Sequence, residues 1–178
     1  PCQLAAALER DHPDIDQTVT FHEPYVVFRI EVLLHQEDVL FADASFFDVF
    51  AYEPVYGDLQ TSLLDPAAVV LTESAADRLL GPGNPVGQSL QVRFSDTFHT
   101  AVVTAVIADP PANTNIPFEV MMSFERLPTV YSWVANRVDS WRHSLFPTYA
   151  LLRERVLIHI LTCRRATQSY SRWSTCSI

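Results

Sequence analysis

Six histidines, 21 carboxylates and three cysteines are the groups in this chain with the chemistry to hold a metal, move a proton or attack a carbonyl. The histidines, His12, His22, His35, His99, His143 and His159, form no HExxH or HxH pattern, and no two stand four residues apart. A helical zinc site needs ligands one turn apart, so the local signature is missing. His22, His35 and nearby acids could meet only through the fold, and scattered solvated histidines are the expectation. Asp14/Asp16 and Glu37/Asp38 fall on predicted turns or a strand's solvent face, whereas a general acid needs a carboxyl desolvated in a cleft. Cys2, Cys163 and Cys176 lie at the two extremes of the chain without metal spacing. No internal disulfide is expected to define the fold, and Cys2 reads as an inert end residue.

The stretch "GPGNPVG", residues 81–87, looks like a glycine-rich phosphate loop. It follows a predicted helix where a phosphate cradle precedes one, and it has no lysine, so it cannot aim a helix N-terminus at an anion. GxSxG and GxGxxG are missing as well. The expectation is no catalytic residue, no cofactor-binding residue and no metal ligand.

The formal charge is -9 with a pI near 5.0, and all 12 basic residues are arginine. A nucleic-acid partner would require a basic surface, so that class is set aside. Uncharged stretches such as Thr97–Ala108 fall short of the roughly 18–20 residues that cross a bilayer. The start, "PCQLAAALERDHP", shows no basic segment followed by an apolar run, so no signal peptide is visible. With 48% hydrophobic residues over 178 positions, the chain is expected to bury one core.

The elements that would position any site follow from periodicity. Gln3–Arg10 reads as a helix ended by His12 and Pro13. From Ile15 the period is two, with Ile15, Val19 and Phe21 on one side and Asp16, Thr18 and Thr20 on the solvent side. After Pro24, Tyr25–Glu31 reads as the return arm of a hairpin and Asp38–Ala42 as a third strand of a meander. Ser45 is placed to cap a short helix carrying Phe46, Phe47 and Phe50, an aromatic cluster read as core packing. Pro54, Gly57 and Asp58 mark a loop. Ala68–Leu71 reads as a buried strand, Thr72 as an N-cap, and Ala75, Ala76, Leu79 and Leu80 as the apolar stripe of a helix stopped by Gly81.

Turns through Pro85 and Gly87 lead to a strand over Gln88–Phe94, and His99–Ile107 returns with both faces apolar, as a central strand does. The segment "ADPPANTNIPF" is irregular, with Asn113 and Asn115 expected to bond their own backbone. Glu119–Phe124 extends again, a short helix covers Val130–Arg137, and a strand over His143–Leu152 carries Pro147, which favours an edge. Residues 155–178 contain four arginines and no acid, against 20 acids and seven arginines in residues 1–150. That stretch reads as an atypical basic tail, either foreign to the domain or a basic C-terminal helix.

Three blocks, "VLFADASFFDVFAYEPVYGD", "DPAAVVLTESAADRLLGPGNPVGQSLQV" and "VTAVIADPPANTNIPFEVMMSF", resemble in order and spacing the extracytoplasmic core domain of MacB/FtsX-like ABC transporter permeases. The resemblance covers about residues 15–153. Leu80 stands where that family usually has an aromatic, Gln88 where it has lysine and Ala105 where it has glycine. The tail does not follow the family.

The resemblance implies an α+β fold of mixed β-sheets with short helices in a two-lobed MacB-like periplasmic core domain. Residues 1–154 would form it, with a mostly β lobe within about 65–120 and the tail at 155–178. It implies a noncatalytic domain on the extracytoplasmic side of a cell membrane protein. The implied partners are the transmembrane part of its own permease, a cytoplasmic ABC ATPase, a second copy and envelope proteins, with ATP hydrolysis coupled to export. Two competing readings remain: a sensor holding a small ligand between the "PPANTNIPF" loop and the Phe46 cluster, and a hydrolase using His22, His35 and nearby carboxylates.

Overall fold

The computed structural model describes residues 3–23, 25–30, 33–94, 97–111, 113–135 and 146–153, with the side chains of residues 24–38 left aside. Helix α1 spans Gln3–Asp11 and leads into β1 (Ile15–His22), β2 (Tyr25–Ile30), β3 (Leu33–Ala42) and the short α2 (Phe46–Val49). Next come β4 (Pro54–Gly57), β5 (Ala68–Thr72), α3 (Glu73–Leu80), β6 (Ser89–Phe94) and β7 (Thr97–Ile107). The described chain closes with β8 (Val120–Ser123), a 3-10 turn at Phe124–Arg126, α4 (Leu127–Val130), α5 (Ser132–Ala135) and β9 (Thr148–Leu152). The fold is α+β: one mixed sheet with short helices.

Nine described strands share that sheet, in the order β2-β6-β7-β5-β8-β3-β1-β9, with β4 on the edge of β7. Because β2 also pairs with β3, the first six close into a ring. Two long strands make this possible by changing partners midway. Leu33–Asp38 of β3 pairs with β2, and Val39–Ala42 pairs in parallel with β8. Thr97–Val102 of β7 pairs with β6, and the rest of β7 pairs in parallel with β5. The change on β7 is marked by a bulge at Thr104, whose hydroxyl donates to the Ser62 and Val69 carbonyls at 2.8 and 3.1 Å.

Alternation sorts the buried residues into two clusters. Val39, Phe41, Val69, Leu71, Val103, Val120 and Met122 join Ala75, Ala76 and Leu79 of α3 on one face. Leu40, Val70, Ala105, Ile107 and Met121 join Phe46 and Phe47 of α2 on the other. β7 therefore is central with both faces apolar, as its sequence predicts.

The corner after β5 follows its local chemistry. Thr72 caps α3, its hydroxyl accepting the Ala75 N–H at 3.2 Å. Gly81 ends the helix at φ 81°, its N–H donating to the Asp77 carbonyl. Thr72→Ala is expected to cost about 1 kcal/mol, seen as a lower urea midpoint at unchanged slope. An unchanged midpoint would show that the hydroxyl contributes nothing to the start of α3.

Five local expectations are corrected. β1 and β2 do not form a hairpin: β1 pairs with β3 and β9, and β2 with β3 and β6. A break at Pro24 marks where one strand ends without naming its partner. Thr18 and Thr20, read as the solvent side of β1, are each only 4% exposed. Ser45 sits at the N-cap of α2 but makes no side-chain cap bond, because its hydroxyl is drawn to the Thr18 carbonyl at 2.8 Å. Pro54–Gly57, read as a loop, is a strand because the free edge of β7 offers it partners at Ala105, Val106 and Ile107. Pro147 precedes β9 instead of interrupting it, and among the described residues β9 pairs with β1 alone.

Candidate functional site

Among the described residues, those with catalytic chemistry are not brought together. His12 is exposed, and His99 rests against the Phe94 ring at 5.6 Å. His22 is half-buried, edge-on to Trp133 at 5.9 Å and to Phe146 at 5.3 Å, and burial lowers its pKa. Asp14 and Asp16 are exposed, with Asp16 3.3 Å from the Arg153 guanidinium. Among the described residues no three His, Cys, Asp or Glu side chains stand close enough to share a metal ion. The side chains of His35, Glu37 and Asp38, together with Cys2, Cys163, Cys176, His143, His159 and the basic stretch 155–178, lie outside the described residues.

Among the described residues, a cleft of about 550 Å³ beside the start of α3 could take a small molecule. Thr72, Ser74, Asp109, Thr114, Phe118 and Glu119 line it, with prolines from the 110–117 loop. Its polar groups are engaged with one another. The Asp109 carboxylate accepts from the Ser74 N–H at 3.1 Å and from the Ser74 hydroxyl. That hydroxyl is the main reason its pKa lies below the usual carboxylate range. Arg78 pairs with Glu119 across the rim. Asp109 and Thr72 thus take the N–H groups of Ser74 and Ala75 that an anion would otherwise use.

The loop holds itself through Thr114, whose hydroxyl accepts the Ile116 N–H at 3.2 Å. The expected role of Asn113 and Asn115 falls instead to the threonine between them. Phe46 is fully buried against Phe47, Phe50, Tyr52 and Phe118, so it offers no face to a ligand.

Two charged groups, Arg126 buried and Asp43 half-buried, escape the sequence reading. Arg126 is 7% exposed and donates to the Pro66 and Thr100 carbonyls at 3.1 and 3.0 Å, with its guanidinium 5.5 Å from the Phe94 ring centre. Burial lowers its pKa, against the opposing charge of Asp65. Both carbonyls lie where β5 begins and β7 changes partner, so the guanidinium supplies donors that a neighbouring strand would have supplied. Asp43 acts in the opposite sense on β1, its carboxylate accepting from the Thr20 N–H and the Ser45 hydroxyl, each at 2.7 Å. For Asp43 the only local hint is a charged residue directly after a buried strand; Arg126, three residues past β8, carries no such hint.

Burial raises the Asp43 pKa, and the negative charge of Glu9 adds to the rise against the opposing hydrogen bonds from Ser45 and Thr20. The hydrogen-bond count gives a reason. The Ser45 hydroxyl has one proton and two acceptors in reach, the Thr18 carbonyl and Asp43. A protonated Asp43 could donate to Ser45, leaving Ser45 free to donate to Thr18. A group with a raised folded pKa binds its proton more tightly in the native state, so its contribution falls as pH climbs through that pKa. The stability of Asp43→Asn minus that of the parent is therefore expected to grow with pH from about 4 up to the raised value, then level off. Urea titrations across pH 3–8 read it; a difference that is flat or shrinks with rising pH would refute it.

No curated protein matches the chain. Among solved structures it is similar to a domain assigned to a permease protein of Porphyromonas gingivalis, with a TM-score of 0.67 at 19% identity over 86% of this chain and 62% of that one. It is similar to the periplasmic region of MacB from Actinobacillus actinomycetemcomitans, at TM-score 0.60 and 16% identity over 85% of this chain and 64% of that one. The extracellular domain of the ABC-type transporter YknZ from Gram-positive bacteria follows at TM-score 0.51 and 16% identity, over 67% of this chain and 60% of that one. The chain thus spans less than two thirds of the length of each of these structures. At such identities they speak to the fold, and they agree with its mixed sheet and short helices. The MacB-like periplasmic core domain matches residues 3–156, a span that takes in every described residue, and the protein belongs to that family.

Proposed function

We propose that this chain is a noncatalytic extracytoplasmic domain of an ABC transporter permease, coupling ATP hydrolysis in the cytoplasm to export or to partner proteins of the envelope. The family match over residues 3–156 carries the reading. Its partners would be the membrane-spanning part of its own permease, a cytoplasmic ATPase and a second copy of the permease. The described residues support a mechanical role through what they do with their polar groups: carboxylates, hydroxyls and one buried guanidinium close the gaps in the sheet. No helix among the described residues is long and apolar enough to cross a membrane.

The small-ligand reading stands on the cleft at Asp109. It is the weaker reading, because the polar lining is engaged internally and Phe46 is sealed in the core.

The test uses the full permease with its ATPase in cells. A Gln60→Cys variant with the native cysteines replaced by serine should react with a membrane-impermeant thiol reagent applied from outside. Replacing the domain by a short linker should leave ATP hydrolysis measurable and abolish export. Labelling only after lysis, or export that persists without the domain, would overturn the proposal.

A further inference from the structure

Helix α1 is anchored differently from the rest of the molecule. None of its nine residues is buried; Leu4, Ala5, Ala7 and Leu8 are half-buried where it rests on β1 and β9. Its polar anchor is Glu9, whose Oε1 accepts from the Thr18 N–H at 2.8 Å and from the Thr18 hydroxyl at 2.7 Å.

The reason Thr18 needs this partner lies in the sheet. β1 pairs with β9 along Ile15–Thr20, but β3 reaches it only at Phe21 and His22. Thr18 and Thr20 therefore face a strand position that no strand fills, and side chains take over. Asp43 holds both main-chain groups of Thr20, its carboxylate accepting the N–H and its own N–H donating to the carbonyl at 3.2 Å. Ser45 donates to the Thr18 carbonyl. Of these groups, only the N–H and hydroxyl of Thr18 depend on α1.

We propose that α1 is a releasable element, latched to β1 by Glu9 and able to undock while the sheet stays folded. Undocking exposes one N–H and one hydroxyl, both of which water can satisfy, together with a half-buried apolar stripe. β1 meanwhile keeps β9, Asp43 and Ser45. Elements released in this way draw on the low-stability end of a protein's local openings.

Hydrogen–deuterium exchange on the whole chain tests the proposal. In the parent, amides of α1 should be protected yet exchange faster than those of β5 and β7. Glu9→Ala should raise α1 exchange roughly ten- to a hundredfold, the worth of hydrogen bonds to a charged group, and leave β5 and β7 unchanged. Glu9→Gln, which keeps an acceptor oxygen, and Thr18→Val, which keeps the N–H, should each raise it less. The proposal is overturned if α1 is unprotected in the parent or exchanges in step with β5. It is equally overturned if Glu9→Ala accelerates all three elements alike or leaves α1 unchanged.

Discussion

Gly57→Ala should lower the stability of this domain by about 3 kcal/mol or more, from left-handed backbone strain and a forced steric contact together. Gly57 has φ +84°, and an added Cβ would lie 2.4 Å from the Thr104 carbonyl oxygen and 2.9 Å from the Ala105 Cα. Both atoms are main chain of the central strand, at the bulge where β7 changes partner, so neither can move aside cheaply. The relief left to the chain is to lift β4 off β7, giving up its pairing at Ala105, Val106 and Ile107 and the packing of Val55. Gly83 is the internal control: φ is +125°, but nothing lies within 4 Å of its added Cβ. Gly83→Ala should cost about 1–2 kcal/mol. Equal urea midpoints for the two variants would show that the contact with β7 carries no weight.

Phe46→Ala is the second large effect, expected at about 3–5 kcal/mol. The ring is fully buried, with Phe50 at 4.9 Å, Phe47 at 5.4 Å, and Tyr52 and Phe118 each at 5.9 Å between ring centres. Those neighbours come from α2, the segment after it and the 116–118 stretch. Removing the ring therefore leaves a cavity and separates three parts of the chain at once. Phe46→Leu refills most of the volume and should cost clearly less. The comparison distinguishes packing from ligand stacking: a ligand-stacking ring would be replaceable with little loss of stability, and a midpoint near the parent's would overturn the core assignment.

What could be read from the residues, and what could not, divides by distance along the chain. The corner "VVLTESAADRLLGPGNPVGQSLQV" is legible because each decision in it is local. Thr72 caps three residues ahead, Gly81 closes on Asp77 four residues back, and Gly87 meets β7 through a turn set by Pro85. β7 is legible as central because both its faces are apolar. β4 is not, since four residues ending in glycine become a strand only where a long neighbour has a free edge.

Thr18 and Thr20 mislead for the same reason: alternation reports polarity, and burial was decided by Glu9 and Asp43. Arg126 reaches carbonyls 60 and 26 residues away. Asp43, one residue past a buried strand, could have been suspected, but its partner on β1 could not be named. The family resemblance reached further than the residue physics, because block order and spacing carry information that no single motif holds.

The partner change within β3 and β7 has a mechanical meaning. β2, β6 and the first halves of these two strands form a four-strand section, and the second halves belong to the rest of the sheet. Two uninterrupted covalent chains therefore run across the junction, so a pull on one section passes to the other along bonds that do not break, whereas two packed units could slide apart. The same continuity restricts slippage, since shifting either strand by one residue would turn its side chains over in both sections at once. A joint made this way bends or twists before it separates, which suits the coupling role proposed for this domain.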